Sequence, residues 1–528
     1  MVFTFDWLLK RIAAPNEAAI FGVFSDSRAV VACSVFVAVP CADVQKHIAE
    51  AVVNGACIVV QEQDTICQHV DPVVGAVGQL GLGSPVVVYV KCARKALAQL
   101  CGVFYKDRPG VLSAVTGTNG KSSTVSFISQ IQVLLGIKSA DVGTLGVHVS
   151  DQSHEPRNAA PFALKTKVPD MTTFDAVTFH SILSELHANG VRSAAIEATS
   201  HGLHQYRLDG VQFDAVALTN ITQDHLDYHK TMEEYTLAKV RLFADLAKPS
   251  ASAILNKKSS FLQFFEEICQ KRGLKTIFYA LNEGTDIYAE NIRPSSQSAI
   301  HSDAKIKSQD PADSSQPGVV FDLHIFGGCF PNVCFNPLGS FQIENLLCAL
   351  GLVIACNPQI KIHDVVATIP YLRGIPGRLE LATYYNHGSI FIDFAHTPDA
   401  LQTVLSELKQ LHPTRLIVVF GCGGERDQGK RKEMGRIASA LATKVIITDD
   451  NPRGEDPAKI RKDILEGAPG ATEIAGRGDA IRYAIANTNK GDILLVAGRG
   501  HEVVQKLDGV CVPFSDRSFV EDVVRNFG

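Results

Sequence analysis

One short loop restricts the fold of this chain more than any other part of its sequence. Residues 114–127 read AVTGTNGKSSTVSF, in which an apolar run typical of a buried strand leads into a helix-like stretch. A glycine-rich turn between a strand and a helix, ending in Gly-Lys-Ser, is the pattern of a phosphate-binding loop. The general pattern has one more glycine, where this chain has Val115, so the loop is a shortened version. We therefore expect an α/β fold with this loop at the carboxyl edge of a parallel sheet.

In such a loop, backbone amides and the helix N-terminus bind the phosphates of a nucleotide. Lys121 would neutralise phosphate charge, and the hydroxyl of Ser122 could ligate Mg²⁺. A glycine turn with a solvated lysine is the alternative, but the strand and the helix on either side favour the nucleotide site. The predicted site comprises Gly117, Thr118, Asn119, Gly120, Lys121, Ser122 and Ser123.

The length and composition indicate a multidomain globular protein. At roughly 100 to 200 residues per domain, the chain of 528 residues corresponds to about three domains. Hydrophobic residues make up 46% of it and charged residues 20%, which is sufficient for buried cores. The formal net charge of -5 gives no indication of electrostatic binding to nucleic acid or to anionic membranes.

The cysteines and the N-terminus predict a cytoplasmic protein. None of the 13 cysteines forms a Cys-x-x-Cys pair, so we interpret them as reduced thiols. The N-terminus lacks the basic start of a secretory signal, and no apolar run approaches the roughly 18 residues of a membrane span. We expect a monomer that does not span the membrane.

Three α/β domains are predicted. Residues 1–107 form a small N-terminal domain, with a strand-helix-strand unit in residues 23–60, and residues 108–374 form a central P-loop ATPase-like domain with a parallel sheet. Residues 375–528 contain four apolar runs, GSIFIDFAH, RLIVVFGCGG, KVIITDDNPR and DILLVAGRGHE. Each run ends in polar or glycine residues, which is typical of a doubly wound, Rossmann-like domain with a ligand crevice. Residues 294–317 are predicted to form a surface loop.

Two polar segments after the phosphate loop are candidates for metal binding. Glu197 ends the apolar run RSAAIE, where a carboxylate could hold a metal, although a surface glutamate is the simpler alternative. The segment DHLDYH brings oxygen and imidazole donors together within six residues, from Asp224 through His225 and Asp227 to His229. Such donors suit a divalent ion, but a polar turn would have the same composition.

Lys239 lies in an unusual position for a lysine. In TMEEYTLAKVRLF it shares one helical stripe with apolar residues, namely Met232, Tyr235, Leu242 and Phe243. A side chain that runs along the apolar surface with its ammonium in water is one explanation. The other is a lysine whose charge is removed by a lowered pKa or by covalent modification, so that it can act near phosphate and metal.

The last domain contains charges that could bind a zwitterion. Arg426 follows GCGG, Asp450, Asn451 and Arg453 belong to TDDNPR, and Glu502 follows GRGH. Two arginines for carboxylates and a carboxylate for an ammonium would form such a site, whereas charges on surface loops are the alternative.

With these motifs in place, the sequence resembles the Mur ligases over nearly its whole length. The motifs that carry the resemblance occur in the family's order: GTNGKSS, EATSHGLHQYR, DHLDYH, YTLAK, IPGRLE, IDFAHTPDAL, GCGGERD, DDNPR and GRGHE. The family's ATP loop is Gly-Thr-Asn-Gly-Lys-Ser/Thr, which accounts for the missing glycine. The segment PCADVQKHI departs from the family, because it lacks the glycine-rich loop and the Asp-Gly-His pattern.

The resemblance implies roles for individual residues. The catalytic residues would be Lys121, Glu197, His225 and Lys239, and the Mg²⁺ ligands would be Ser122, Glu197, His225 and Lys239, the last as a carbamate. The resemblance places Asn345, Arg378 and Asp393 around the adenine, the ribose and the domain joint. It assigns Ser27, Thr172, Thr173, Thr199, Gln205, Arg207 and Lys239 to a UDP-muramoyl-dipeptide. It assigns Arg426, Asp450, Asn451, Pro452, Arg453, Gly498 and Glu502 to meso-diaminopimelate.

The implied activity is ATP-dependent amide formation in peptidoglycan precursor synthesis, through an acyl phosphate. Arg453 favours an amino acid with a second carboxylate, and therefore diaminopimelate over lysine. A lysine-adding member of the family and a ligase similar to folylpolyglutamate synthase remain as alternatives. A phosphate-loop switch that hydrolyses ATP without either substrate is an alternative from another class.

Overall fold

The computed structural model describes residues 4–13, 20–63, 85–150, 171–282, 284–295 and 318–527. Three main sheets, each enclosed by its own buried apolar residues, form the described part of the chain. Within it, no helix has the length and apolar character needed to cross a bilayer. Most of the predicted surface loop at 294–317 lies outside the described residues.

The N-terminal sheet is parallel, with the strand order β1-β2-β3-β4. Its strands are β1 Val23–Phe24, β2 Ser34–Ala38, β3 Ala56–Glu62 and β4 Val86–Val90, and its helices are α1 Phe5–Ala13, α2 Val44–Val53 and α3 Ala93–Phe104. All five residues of β2 are buried, because apolar side chains cover both faces of the sheet. The predicted strand-helix-strand unit is confirmed as β2-α2-β3.

The central sheet has ten strands in the order β14-β13-β12-β11-β10-β9-β5-β8-β6-β7. They are β5 Val111–Thr116, β6 Ser139–Gly143, β7 Gly146–Ser150, β8 Ser193–Glu197, β9 Phe213–Leu218, β10 Ala247–Asn256, β11 Lys275–Leu281, β12 Ile287–Pro294, β13 Val319–Ile325 and β14 Gly328–Phe335. The middle of the sheet is parallel as predicted, while β7, β13 and β14 are antiparallel to their neighbours. Two-residue connections before β7 and β14 account for two of these pairings, because so short a turn cannot join parallel strands.

Helices cover both faces of the central sheet. They are α4 Lys121–Leu134, α5 Ala176–Ala188, α6 Ser200–His204, α7 Leu226–His229, α8 Met232–Arg241, α9 Leu262–Arg272, α10 Ser340–Cys356 and α11 Ile362–Ala367. In the sheet register, Val115 of β5 pairs with Glu197 of β8, and Thr116 pairs with Leu218 of β9. The phosphate loop, Glu197 and the segment after β9 therefore begin at the same edge of the sheet.

The C-terminal sheet has the order β15-β16-β20-β17-β18-β19. Its strands are β15 Glu380–Tyr385, β16 Gly388–Asp393, β17 Leu416–Phe420, β18 Lys444–Ile447, β19 Thr472–Glu473 and β20 Ile493–Ala497, followed by a hairpin of β21 Val504–Leu507 and β22 Val510–Pro513. Helices α12 Pro398–Gln410, α13 Gly429–Leu441 and α14 Pro457–Leu465 cover one face, and α15 Arg477–Ala486 and α16 Asp516–Phe527 cover the other. The four predicted apolar runs are β16, β17, β18 and β20, so the doubly wound domain is confirmed. The exact boundaries at 107/108 and 374/375 stay predictions.

Candidate active site

The phosphate loop connects β5 to α4 and is held by the segment that follows β9. Gly117 and Gly120 have φ angles of 148° and 84°, in the region that favours glycine. The amide of Thr118 donates to the carbonyl of Asn220 (2.8 Å), and the amide of Asn119 donates to the side-chain oxygen of Asn220 (2.9 Å). Because these two amides already donate hydrogen bonds to Asn220, we expect the amides at the N-terminus of α4 to bind the phosphates.

Two lysines point at the same carbonyl of this loop. Nζ of Lys121 donates to the carbonyls of Gly117 (3.0 Å) and Thr118 (2.7 Å), and Nζ of Lys239 donates to that of Gly117 (2.8 Å). Burial holds the pKa of Lys121 below its usual range, although Glu197 opposes this shift. Burial, and then repulsion from Lys121, lowers the pKa of Lys239 far below its usual range. Of the two lysines, Lys239 is therefore the one whose pKa is shifted further towards the uncharged form.

The buried stripe predicted around Lys239 is confirmed. Lys239 and Tyr235 are each 1% exposed, and Nζ lies 4.4 Å from the centre of the Tyr235 ring. The Tyr235 hydroxyl lies 3.0 Å from Oγ1 of Thr118, so α8 is fixed directly to the phosphate loop. The helix ends earlier than the stripe, because Leu242 and Phe243 belong to a π-helical turn, Leu242–Leu246.

Glu197 and His225 lie at the same edge of the sheet as the loop. Glu197 is buried, and its carboxylate accepts hydrogen bonds from the amide of Thr144 (2.9 Å) and from its hydroxyl (3.1 Å). Nε2 of His225 lies 3.4 Å from the carboxylate of Asp224. Burial lowers the pKa of His225 against the attraction of Asp224, so the imidazole is neutral at neutral pH and free to act as a ligand.

The donors near the loop fit Mg²⁺ better than a soft metal ion. Within the described ranges, no three His, Cys, Asp or Glu side chains converge as a metal cluster would require. Mg²⁺ does not need such a cluster, because it keeps several waters and is bound by one or two carboxylates together with substrate phosphates. Glu197 and the buried hydroxyl of Ser122 match that demand, whereas Lys239 could ligate a cation only after modification to an anion. The ligand set stays a prediction.

A cavity of about 250 Å³ separates the phosphate loop from the C-terminal domain. Both domains contribute to its lining, through Asn119, Gly120, Ser122, Ser123 and Asn345 on one side and Arg378, Asp393, Phe394 and Asp399 on the other. The guanidinium of Arg378 stacks 4.5 Å from the Phe394 ring, and its Nη2 lies 3.5 Å from Oγ of Ser122. The predicted nucleotide residues are thus brought together by the fold.

Asp393 shapes the joint between the domains. Its two carboxylate oxygens accept the amides of Leu379 (2.6 Å) and Ala395 (2.7 Å), and burial raises its pKa to about 6 although Arg378 opposes the shift. Since both oxygens are engaged by the backbone, Asp393 fixes the strand ends on which Arg378 is presented.

Replacing Gly120 by alanine is expected to weaken ATP binding. Its φ of 84° is unfavourable for alanine, and a Cβ there would overlap Oδ1 of Asn345. The KM for ATP should rise about tenfold, because the loop must change its conformation before it can bind phosphate, at a free-energy cost of roughly 1–3 kcal/mol. Nucleotide titration of the variant measures this change. Gly146→Ala, at φ 94° in an open turn, is the matched control and should leave the KM for ATP unchanged.

A second cavity, of about 650 Å³, lies between the N-terminal and central domains. It brings the predicted residues Ser27, Gln205 and Arg207 together with three further cations, Arg28, Lys46 and Arg94. Oγ of Ser27 donates to the carboxylate of Glu50 (2.5 Å) and lies 3.2 Å from Nδ1 of His47. Both partners lie on α2, and His47 belongs to the segment where the sequence departs from the family pattern.

Three threonines connect this cavity to the phosphate loop. Oγ1 of Thr173 donates to the carbonyl of Glu197 (2.8 Å) and lies 3.0 Å from Oγ1 of Thr199, which caps α6. Nη1 of Arg207 donates to the carbonyl of Thr173 (2.7 Å), and Thr172 bonds the same Thr144 that holds Glu197. The predicted substrate residues therefore form one strip, from the N-terminal cavity to the candidate metal ligand.

The predicted zwitterion site lies at the carboxyl ends of β17, β18 and β20. Oε2 of Glu502 accepts the side-chain amide of Asn451 (2.8 Å), and Nη1 of Arg453 donates to the carbonyl of Gly424 (2.8 Å). Asp450 is 8% exposed, and its Oδ2 is one of the buried polar atoms that have no hydrogen-bond partner in the described part of the chain. A Cβ at Gly498 would lie 2.7 Å from that oxygen, so any larger residue there would crowd it. A buried carboxylate oxygen in this state is suited to an ammonium.

The two arginines of this site differ in exposure. Arg453 is half-buried, and burial together with repulsion from Arg426 lowers its pKa, whereas Arg426 is exposed. Pro452, which directly precedes Arg453 in the chain, is buried, and its carbonyl oxygen packs against Gly424. A pair of guanidiniums that repel each other favours binding of an anion between them.

Aromatic rings connect the nucleotide cavity to the zwitterion site. The Phe394 ring lies 4.5 Å from the Arg378 guanidinium and 5.1 Å from the ring of His501, the neighbour of Glu502. Gly377 and Gly500 pack backbone against backbone, so that side chains on either would clash. The domain joint at residues 377–378 therefore contacts both the nucleotide cavity and the zwitterion site.

Comparison with known proteins decides the family. The sequence model of the Mur ligase middle domain matches residues 115–353, and that of the Mur ligase glutamate ligase domain matches residues 377–500. A UDP-N-acetylmuramoyl-L-alanyl-D-glutamate–2,6-diaminopimelate ligase from Caulobacter vibrioides is 40% identical over 511 residues, which are 95% of this chain and 94% of that protein. The chain belongs to the Mur ligase family.

Further relatives of this Mur ligase carry the same name. The diaminopimelate ligase of Chelativorans is 37% identical over 97% of this chain and 96% of its own. A solved structure of such a ligase superimposes with a TM-score of 0.64 and 29% identity, covering 100% of this chain and 99% of that one. A folylpolyglutamate synthase from Mycobacterium tuberculosis shares the fold, with a TM-score of 0.57, 17% identity and 77% of this chain covered.

The structure of this Mur ligase also shows site residues that the sequence motifs did not indicate. Asn220 and Thr222 hold the phosphate loop, and Asp399 accepts the side-chain amide of Asn119 across the domain joint (3.1 Å). Burial opposes a low pKa for Asp224, but its pKa is lowered overall by His225 and, from the C-terminal domain, by His396 and Lys430. In the sequence, polar residues at the strand ends indicate a functional site, but only the fold shows which of them lie in it.

Proposed function

We propose that this Mur ligase joins meso-diaminopimelate to the D-glutamyl carboxylate of UDP-N-acetylmuramoyl-L-alanyl-D-glutamate, with ATP as the energy source. The observation that carries the proposal is the series of contacts that links three sites. The threonine strip joins a cation-lined cavity to Glu197 beside the phosphate loop, and Phe394 joins the nucleotide cavity to the zwitterion site. The relatives that carry this name match the chain over almost its whole length. We further propose that the enzyme acts in the cytoplasm as a monomer.

The N-terminal cavity suits the anionic end of the nucleotide-sugar. Arg28, Lys46, Arg94 and Arg207 bring four cations to a space of about 650 Å³, and phosphates need such cations. The strip of threonines then leads from Arg207 to Glu197, so a peptide that extends from the sugar would place its terminal carboxylate near the phosphate loop.

The first chemical step forms an acyl phosphate. A glutamyl carboxylate oxygen attacks the γ-phosphorus of ATP, the bond to the β-phosphate oxygen breaks, and ADP leaves. Lys121 and the amides of α4 offset the repulsion between the two anions. Mg²⁺, when bound through Glu197, Ser122 and His225, would neutralise charge on the phosphate oxygens. Lys239 would join these ligands as a carbamate, because its amine is buried and its lowered pKa favours the uncharged form that can be carbamylated.

The second step forms the amide. An ammonium of diaminopimelate loses a proton, its nitrogen attacks the acyl carbon, and inorganic phosphate leaves. Asp450, Arg453 and Glu502 orient the amino acid for this attack, and the joint at Arg378 lets the C-terminal domain close on the nucleotide. Closure would exclude water, which otherwise hydrolyses an acyl phosphate.

Phosphate release by the purified protein tests the proposal. We expect release only when ATP, the UDP-muramoyl-dipeptide and diaminopimelate are all present, with tripeptide as the second product. A parallel reaction with lysine tests the lysine-adding alternative, and a folate substrate tests the folylpolyglutamate alternative. Steady ATP hydrolysis without either substrate would refute the ligase and support a phosphate-loop switch.

A further inference from the structure

Two arginines lie buried behind the carboxylates of the zwitterion pocket. Arg477 and Arg499 are 2% and 0% exposed. Asp516, the first residue of α16, is also fully buried and accepts two hydrogen bonds from Arg477, of 2.7 and 2.6 Å. Burying a charge costs free energy unless the charge is paired, so the ion pairs within this cluster must offset the loss of hydration.

Arg499 is less completely paired than Arg477. Its Nη2 donates to the carbonyl of Phe514 (3.0 Å). Its Nε lies 3.4 Å from Oε2 of Glu502, and its Nη1 lies 3.8 Å from Oδ1 of Asp516. Both nitrogens lack a hydrogen-bond partner within the described ranges, although both are within ion-pair distance of a carboxylate. The guanidinium of Arg499 therefore lies between the last helix and the pocket residue Glu502.

Arg499 acts on the carboxylates of the pocket together with two other arginines. The guanidiniums of Arg453, Arg477 and Arg499 all interact electrostatically with Asp450 and Glu502, and the last two also with Asp516. If Arg453 binds a carboxylate of the ligand, two guanidiniums remain for three carboxylates, and the ammonium of the amino acid would supply the third positive charge.

Arg499 cannot itself bind the ligand, because it is completely buried. We propose that Arg499 is a positioning residue for Glu502. Held from behind by Asp516, its guanidinium contacts Oε2 of Glu502, the same oxygen that accepts the side-chain amide of Asn451. Without Arg499, Glu502 would lose one of these two contacts, and its carboxylate would no longer be held in position for an ammonium. This inference rests on the proposed amino-acid site.

Arg499→Met tests the role by separating the KM values of the three substrates. We expect the KM for diaminopimelate to rise about tenfold or more, while the KM values for ATP and the UDP-muramoyl-dipeptide stay within about twofold. Arg499→Lys keeps the charge and should restore the KM for diaminopimelate to within about threefold of the wild type. A merely structural role would change all three KM values together, and lysine would not rescue it.

Arg415→Met is the matched control. Arg415 pairs with the buried carboxylate of Asp492 at the opposite end of the same sheet, so its loss should lower the Tm without changing the KM for diaminopimelate. If Arg499→Met does not fold, Asp516→Asn replaces it, and an unchanged KM for diaminopimelate would overturn the proposal. A wild-type protein that makes no tripeptide would refute the proposed function as well, whereas an active wild type with an unchanged KM in Arg499→Met refutes only this inference.

Discussion

Lys239→Ala should lower kcat by about three orders of magnitude, with little change in the Tm. The side chain is 1% exposed, and its Nζ bonds the carbonyl of Gly117 at the start of the phosphate loop. Burial and the charge of Lys121 lower the pKa of its amine and so favour the neutral form, which reacts with carbon dioxide to give a carbamate. The variant lacks this anion, so added bicarbonate should not restore activity.

Two measurements distinguish the carbamate from a simple structural role. Carbon-13 NMR of the full chain in labelled bicarbonate should show a carbamate signal in the wild type that is absent in Lys239→Ala. Lys257→Ala removes an exposed lysine that pairs with Glu266, and this control should keep both the signal and the activity. Full activity of Lys239→Ala would contradict the carbamate role.

The position of Lys239 was predictable because it depends on local periodicity. Its place on a stripe with Tyr235 follows from helical spacing, and the fold buries both side chains. The second lysine at the Gly117 carbonyl was not predictable, because Lys121 and Lys239 belong to different elements of the central domain. Their repulsion is a consequence of tertiary structure.

The same distinction applies to the sheets. The four apolar runs of the C-terminal domain predicted its parallel strands, because strands buried on both faces contain continuous apolar residues. The antiparallel pairings of β7, β13 and β14, at the two ends of the central sheet, were not predicted. Their pairing depends on short turns and on neighbours far along the chain, which hydrophobic periodicity does not encode.

The same distinction applies to the site residues, because sequence motifs predicted some of them and only the fold shows the contacts of the others. Motif residues such as Glu197 and Glu502 were found because polar groups end apolar runs. The contacts of Ser27 with His47 and Glu50 were not found, since both partners lie on an ordinary amphipathic helix and His47 belongs to the segment that departs from the family pattern. Asp399 reaches the phosphate loop across a domain joint, and no sequence spacing predicts such a contact.

Arg453→Met should remove the preference for diaminopimelate over lysine. Arg453 is half-buried, is held by the carbonyl of Gly424 and has its pKa lowered by burial and by Arg426, so its guanidinium gains most from an anionic ligand. Losing one partner of a desolvated charge pair costs about 2–5 kcal/mol, so kcat/KM for diaminopimelate should fall by roughly 30-fold or more. Lysine has no second carboxylate, and its low kcat/KM should stay the same or rise.

The ratio of the two kcat/KM values is the decisive measurement, because a general loss of activity would lower both. Arg525→Met is a suitable control, since Arg525 is exposed near the end of α16 and pairs with Asp522. In that variant the ratio should equal that of the wild type. A wild-type enzyme that uses lysine as well as diaminopimelate would contradict the role of Arg453. Arg453→Lys should recover little of the preference, because an ammonium lacks the planar, bidentate geometry with which a guanidinium binds a carboxylate.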